Sequence, residues 1–536
     1  MRVYPAHATD FYKTGHIRQY PAGTSFVYSN LTCRSDRLAR LLPDFDHKVV
    51  SFGIQGVCKW LLRDTWNREF FQRPKAEVME RYSRRMDSSL GKGAVDVGHI
   101  AALHDLGYLP ILVKALPEGS RVNIRVPLFT IQNTIPEFYW LSNYLETQLS
   151  AELWKPSTTA TVAYEYRRLL ERHAHETGAP PEFVDWQGHD FSPRGMSGIH
   201  DSAQSGAGHL LSFLGTDSIH SIDYLEDYYG AAGTFVGGSV PATEHSVMCM
   251  GGMDDEFETF RRLIEDVYPS GIVSIVSDTW DFWGVVGHGG FAERLKDKIL
   301  ARRPDAMGMA KTVFRPDSGD PVRIICGYHY ADVPSLEAGA IASARQAGHD
   351  AVRHQGRYYA IDGNDPVLLT ENEAKGSLEC LHDIFGGTVT PKGYKVLHER
   401  VGLIYGDSIT LERAQAILAG MKAKGFASCN MVFGIGSFTY QYCTRDTFGS
   451  AVKATYGVVE GVGRPLFKDP KTDGGTKKSA KGLLRVEKEG DDFVLHEMQT
   501  PEQENGGALR PVFRDGKIEN EETLATIRHR LRGEAV

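Results

Sequence analysis

The triplet Glu244-His245-Ser246 sets an imidazole at the end of a short apolar run, Gly238-Ser-Val-Pro-Ala-Thr-Glu-His-Ser246. A neutral imidazole nitrogen is a competent nucleophile near its ordinary pKa of about 6.5. A lone histidine in such a place is nevertheless more often a hydrogen-bonded structural residue. Five further runs end in the same way, on small or charged residues: Leu211-Ser-Phe-Leu-Gly-Thr-Asp217, Ile272-Val-Ser-Ile-Val-Ser-Asp278, Thr312-Val-Phe-Arg-Pro-Asp-Ser-Gly319, Gly402-Leu-Ile-Tyr-Gly-Asp407 and Met431-Val-Phe-Gly-Ile-Gly436. Buried parallel strands read as short apolar runs, and their chemistry gathers at the C-terminal ends. Repeated endings of this kind predict one shared mouth. Asp217 taken alone reads equally well as the N-cap of a helix over 218–229. A second histidine group, Glu171-Arg-His-Ala-His-Glu176, lacks the i, i+4 spacing that would let His173 and His175 share a metal on one helix face.

The elements that must position these residues follow a rhythm. Strand patterns recur near 184, 212, 236, 274, 312, 403 and 432, mostly about 25–40 residues apart with helical patterns between, and about seven such units close a parallel barrel. The clearest helix spans 410–424, with Leu411, Ala414, Ile417, Leu418 and Met421 on one face. An open doubly wound sheet is the rival architecture, but no Gly-x-Gly-x-x-Gly opens a helix. Before the rhythm starts, strands are expected at 26–33, 111–116 and 128–133, and a helix from 138. Another helix is expected over 157–176, capped by Ser157-Thr158-Thr159 and stopped by Gly178. The stretch 320–402 breaks the pattern; its polar middle predicts a surface insertion at about 323–398. Strand-like runs return after 445, around a lysine-bearing loop over 474–482 that reads as a solvated turn. The expected organisation is 1–155 and 446–536 as the two parts of a β-rich α+β domain, with an α/β barrel over 156–445.

Composition bounds the function. The chain has 536 residues, 41% hydrophobic and 24% charged, which suits a multi-domain globular protein. Its net charge is 60 − 68 = −8, which argues against a nucleic-acid surface as the main business. No apolar run reaches the length that spans a membrane, and the first residues lack the apolar core of a signal peptide. The seven cysteines (Cys33, Cys58, Cys249, Cys326, Cys380, Cys429 and Cys443) are scattered and form no Cys-x-x-Cys pair. They predict reduced thiols in the cytoplasm.

Asp10-Phe-Tyr-Lys, Gln19-Tyr-Pro, His189-Asp-Phe, Arg194-Gly, Gly215-Thr-Asp217, Ser239-Val-Pro-Ala, Glu244-His-Ser246, Val276-Ser-Asp278, Arg315-Pro-Asp-Ser-Gly319, Gly406-Asp407, Thr444-Arg-Asp446 and Phe467-Lys-Asp-Pro470 together resemble the landmarks of the nicotinamide phosphoribosyltransferases. They occur in that family's order from residue 10 to 470. The resemblance implies a type II phosphoribosyltransferase: an irregular α/β barrel with a second, β-rich domain, working as a homodimer. The implied reaction joins nicotinamide to 5-phosphoribosyl 1-pyrophosphate in NAD salvage, with Mg²⁺. The pyridine nitrogen attacks C1 of the ribose while pyrophosphate leaves, so positioning and electrostatic stabilisation should carry the catalysis.

By the same resemblance, Phe191 and a partner subunit's Tyr12 sandwich the pyridine. Asp217 accepts the amide N–H and repels a nicotinate carboxylate, Arg194 lies beside the ring and the phosphate, and Ser239 is among the substrate-binding residues. Arg315, Asp317, Gly406 and Asp407 hold ribose and pyrophosphate with Mg²⁺, whose hard-oxygen preference leaves it mostly on pyrophosphate and water. Arg34, Arg445, Lys453 and Lys468 grip phosphate groups, although each taken singly reads as a surface charge. The Gly436-Ser437 turn offers backbone N–H groups to the ribose phosphate. His245 is the expected acceptor of phosphate from ATP, with Glu244 or Asp278 orienting its ring. Two departures stand out: Ser192-Pro193 where the family usually has glycine and an aromatic residue, and a phosphate turn poorer in glycine. Two further readings remain, a nicotinate-using relative and a non-catalytic barrel protein acting through a partner.

Overall fold

In the computed structural model, residues 3–363, 365–467 and 480–533 are described. Lys468 and most of the 474–482 loop lie outside the described residues. At the centre is a six-stranded parallel sheet: β1 (Gly188–Asp190), β2 (Gly215–Thr216), β3 (Gly271–Val276), β4 (Ala310–Arg315), β5 (Val401–Tyr405) and β6 (Met431–Ile435), in the order β2-β1-β6-β5-β4-β3. The segment 238–243 joins the two outer strands. Gly238 bridges Gly215 on β2, and Ala242 bridges Ser274 on β3, both in parallel sense. This segment therefore stands where a seventh stave would, and it closes the ring.

Of the seven expected strand positions, those near 274, 312, 403 and 432 are strands as read, the one near 236 is the bridging segment 238–243, and two more run differently from the sequence reading. Residues near 184 form a short helix, Val184–Gln187, and the strand starts only at Gly188. The run from Leu211 yields only Gly215–Thr216 as strand. Leu211 and Phe213 are apolar because they fill the core from the turn before it, so their pattern reports burial and not extension.

Helices pack outside the sheet: α1 (Glu146–Thr177), α2 (Ile219–Tyr228), α3 (His245–Cys249), α4 (Leu411–Ala423) and α5 (Ser437–Tyr440). In α4, Thr410 caps the Arg413 N–H and the five expected apolar residues are buried, as the pattern required. The expected start of a helix at 157 is wrong. Helix α1 runs unbroken through Pro156 from Glu146, so the junction at 155/156 falls inside one helix. The hydroxyls that read as a cap serve elsewhere. Ser157 donates to the Val50 carbonyl (2.5 Å) and Thr158 to the Trp154 carbonyl (2.6 Å), the second a back-bond within the helix. Gly178 does end the helix, in the left-handed conformation that favours glycine.

A second sheet of seven strands is antiparallel throughout. Its order is Val462–Pro465, Ser450–Val459, Thr24–Cys33, Pro127–Asn133, Ile111–Ala115, Arg510–Arg514 and Lys517–Ile518. Strands from both chain ends thus interleave, with Thr24–Cys33 and Ser450–Val459 adjacent. Between β4 and β5, the polar middle of the expected insertion folds as a four-stranded sheet (Tyr330–Asp332, Ala351–His354, Arg357–Ala360, Val367–Leu369). It has its own small core of Ile341, Ala344, Val352 and Ile361. The helix that follows, Ser377–Phe385, returns Leu378, Leu381 and Ile384 to the main core.

Candidate active site

The C-terminal ends of β1 to β5 and the closing segment bring together residues from six separate stretches of sequence. On β1, alternation places His189 and Phe191 on one face, with ring centroids 5.0 Å apart. Phe191 lies against the backbone of two neighbouring strands. A Cβ at Gly434 would sit 2.3 Å from its ring, and one at Gly406 2.7 Å. Only glycine leaves room there. We expect Gly434→Ala to push the ring from its seat at a cost of about 1–3 kcal/mol in overpacking, seen as a lowered Tm.

Asp217 follows β2. Its Oδ1 accepts hydrogen bonds from His189 Nε2 (2.9 Å) and Ser239 Oγ (2.6 Å). It does not cap the helix behind it: the N-cap of α2 is Ser218. Burial works to raise the Asp217 pKa, but the bond and charge of His189, the Ser239 hydroxyl and Arg315 outweigh it. The carboxylate is held below its ordinary range and is ionised near neutral pH.

A second group centres on Asp278, after β3. Its Oδ2 accepts from the Asp317 N–H (2.9 Å) and the Ser318 hydroxyl (2.6 Å), which ties the Arg315-Pro-Asp-Ser-Gly319 loop to β3. Its Oδ1 is buried without a hydrogen bond and lies 3.5 Å from His245 Nε2. His245 is half exposed while Asp278 is 4% exposed. Glu244 is engaged by Ser246, so of the two candidate orienting carboxylates Asp278 is the one facing the imidazole. His245 is the first residue of α3. Arg315 donates to the Thr243 carbonyl (2.5 Å), and Thr243 Oγ1 accepts from the Val276 N–H (2.9 Å). Burial raises the Asp317 pKa, and Asp278 and Asp407 add to this against the opposing Arg315 and His245. Asp407 is exposed at the end of β5, where Ser408 takes a positive φ of 52° and donates to it (3.0 Å).

The Gly436-Ser437 turn needs no left-handed residue. Gly436 is extended and Ser437 begins α5 with helical backbone. The two sequence departures meet in space. Pro193 opens the 3-10 turn Pro193–Gly195, a place that suits its fixed φ, and the Ser437 side chain lies against Gly195. Arg194, in that turn, is exposed. The contacts of Tyr12, Arg34, Arg445 and Lys453 are with none of the strand-end residues above. Tyr12 is 62% exposed; Arg34 donates to the Gly449 carbonyl (3.1 Å); Arg445 pairs with Asp446 (3.2 Å). Lys453 and Lys13 share Glu146, at 3.2 and 2.6 Å.

With this geometry in view, comparison with known proteins is informative. Residues 186–531 match the nicotinate phosphoribosyltransferase (NAPRTase) family. The chain belongs to that family. Residues 6–86 also match the nicotinamide phosphoribosyltransferase N-terminal domain. A protein of Acinetobacter baylyi named nicotinamide phosphoribosyltransferase is 60% identical over 531 residues, 99% of this chain and 97% of its own. One of the same name from Mycoplasma pneumoniae is 32% identical over 502 residues, 89% of this chain and 94% of its own. Among solved structures, the nicotinate-nucleotide pyrophosphorylase from Pyrococcus furiosus superposes with a TM-score of 0.51 at 14% identity, covering 99% of this chain and 97% of that one. That likeness is one of fold.

Three residues that support this arrangement were given no role in the sequence reading. His189 had a signal, since it is two residues before Phe191 on a strand. Gly434 had a weaker one, a glycine inside a strand, which marks close approach. Lys155 had none. It is buried in α1, where it donates to the Tyr440 carbonyl (2.9 Å) and Gln441 Oε1 (2.8 Å), behind the Gly436-Ser437 turn.

Proposed function

We propose that this chain transfers the phosphoribosyl group of 5-phosphoribosyl 1-pyrophosphate to nicotinamide, giving nicotinamide mononucleotide and pyrophosphate in NAD salvage. The observation that carries this reading is Asp217: an ionised carboxylate held at the barrel mouth by Ser239 and by His189, whose ring lies 5.0 Å from that of Phe191. An amide N–H has a partner there, whereas the carboxylate of nicotinate meets a like charge. The relatives named nicotinamide phosphoribosyltransferase agree with it. A non-catalytic barrel is disfavoured because Asp217, His245, Asp278, Arg315 and Asp317 are all present and mutually arranged.

In this reading the pyridine lies on Phe191, and its nitrogen attacks C1 of the ribose as the bond to pyrophosphate breaks. Arg315, Asp317, Gly406 and Asp407 surround the sugar and pyrophosphate, and the Gly436-Ser437 turn meets the 5′-phosphate. Asp317 and Asp407 end neighbouring strands and present hard oxygen donors that fit Mg²⁺. With pyrophosphate and water they would hold the ion, which would neutralise charge on the leaving group. Tyr12 completes the site from the partner subunit of a homodimer, and Arg34, Arg445 and Lys453 meet the phosphate groups. His245 accepts phosphate from ATP. With Nε2 directed at Asp278, Nδ1 is the nitrogen free to attack, and ADP leaves as the new P–N bond forms. The protein works in the cytoplasm; among the described residues no helix is long and apolar enough to cross a membrane.

The test is direct. Purified protein with nicotinamide, 5-phosphoribosyl 1-pyrophosphate and Mg²⁺ should release nicotinamide mononucleotide, and chelation of Mg²⁺ should stop it. Absence of product under these conditions would sink the assignment. Mixing Tyr12→Ala with Phe191→Ala subunits should restore activity to one site of each mixed dimer, and demonstrated heterodimers that stay inactive would place Tyr12 outside the partner's site.

A further inference from the structure

Asp217 is clamped at one oxygen only. Oδ1 takes both the His189 Nε2–H and the Ser239 hydroxyl, which fills the two lone-pair positions of that oxygen. No described residue donates to Oδ2, so Oδ2 is the acceptor left for a ligand's N–H. The clamp is built from three neighbouring stretches. His189 pairs with Gly215 across β1 and β2, the Asp217 N–H bonds to the Asp190 carbonyl (3.0 Å), and Ser239 arrives on the closing segment. His189 has little freedom: its side chain is 12% exposed and its other face packs near Phe191. A Cβ at Gly215 would lie 2.7 Å from its Nδ1, so this approach requires glycine at 215.

We infer that His189 is a positioning residue for substrate choice: as an N–H donor, it holds the Asp217 carboxylate so that the second oxygen selects a pyridine carrying an amide. This rests on the function proposed above and adds a residue to it. Without the donor, Asp217 is held at Oδ1 by the Ser239 hydroxyl alone, so the carboxylate turns more easily and gains easier access to protonation or to a bridging cation. Amide binding then weakens, and rejection of the acid relaxes.

The design separates the donor from the ring. His189→Phe keeps an aromatic ring beside Phe191 and removes the N–H; His189→Gln keeps an N–H at similar reach and removes the ring. For each variant, thermal unfolding is recorded first. Then kcat and KM are measured for nicotinamide and nicotinate, with direct nicotinamide binding by calorimetry. A hydrogen bond to a charged carboxylate supports an effect of about ten- to a hundredfold. The expected result is that His189→Phe raises KM for nicotinamide by at least about tenfold with kcat changed much less, and narrows the amide-to-acid ratio by a similar factor. His189→Gln should retain most of the wild-type ratio. If His189→Phe keeps the wild-type ratio, or His189→Gln loses it as fully, His189 acts through packing and the inference is overturned. Should His189→Phe fail to fold, a wild-type-like ratio in His189→Gln still supports the donor role, and a collapsed ratio in folded His189→Gln still overturns it. A wild-type protein that prefers the amide while the variants behave alike refutes His189 alone. A wild-type protein that uses neither base refutes the underlying function and this inference with it.

Discussion

Replacing Asp217 with Asn is expected to narrow the preference for nicotinamide over nicotinate by about ten- to a hundredfold, the range of one lost charged hydrogen bond or one like-charge penalty. Two effects add. The amide loses a charged acceptor, and the acid loses a repulsive neighbour while gaining a side-chain N–H. The size follows from the state of the wild-type carboxylate. His189, Ser239 and Arg315 hold it ionised in spite of its burial, so its full charge opposes nicotinate near neutral pH. Steady-state kcat/KM for both bases, in the wild type and the Asn variant, measures it. Equal use of acid and amide by the wild type would remove Asp217 from the selective role.

The second large effect concerns His245. Incubation with labelled ATP and Mg²⁺ should give an acid-labile, base-stable phosphoprotein, and His245→Ala should abolish the label. The same variant should retain a weak, ATP-independent synthesis, since transfer to the pyridine needs no covalent enzyme intermediate. Asp278→Asn is expected to weaken labelling as well, because Asp278 Oδ1 is the carboxylate oxygen near His245 Nε2. An Ala variant that still hydrolyses ATP and still responds to it would make His245 structural.

Much of the arrangement was legible in the residues themselves. Apolar runs ending in Asp278, Gly319, Asp407 and Gly436 announced parallel strands with their chemistry at one end, because a strand buried on both faces can carry polar groups only where it leaves the sheet. The helix over 410–424 was legible for a similar reason, since its cap and its apolar stripe agree. Local signals failed where burial imitates them. The hydroxyls of Ser157 and Thr158 resemble a helix start, yet in a buried helix their hydrogens go to carbonyls at Val50 and Trp154. Leu211 and Phe213 resemble a strand, yet they are core residues of a turn.

Beyond local patterns, partner choice depended on the folded chain. Asp217 faced two readings, helix cap or ligand acceptor, and no spacing separates them. The choice rests on His189 and Ser239, which lie 28 and 22 residues away along the chain. Glu244 and Asp278 were equal candidates beside His245 until the fold set Ser246 against one and the imidazole against the other. The seat of Phe191 needed glycines on two other strands. Residue types and their order reveal which side chains can do chemistry, because composition and periodicity are written along the chain. Which carboxylate meets which donor is a matter of distances of about 3 Å between strands remote in sequence, and those exist only once the barrel has closed.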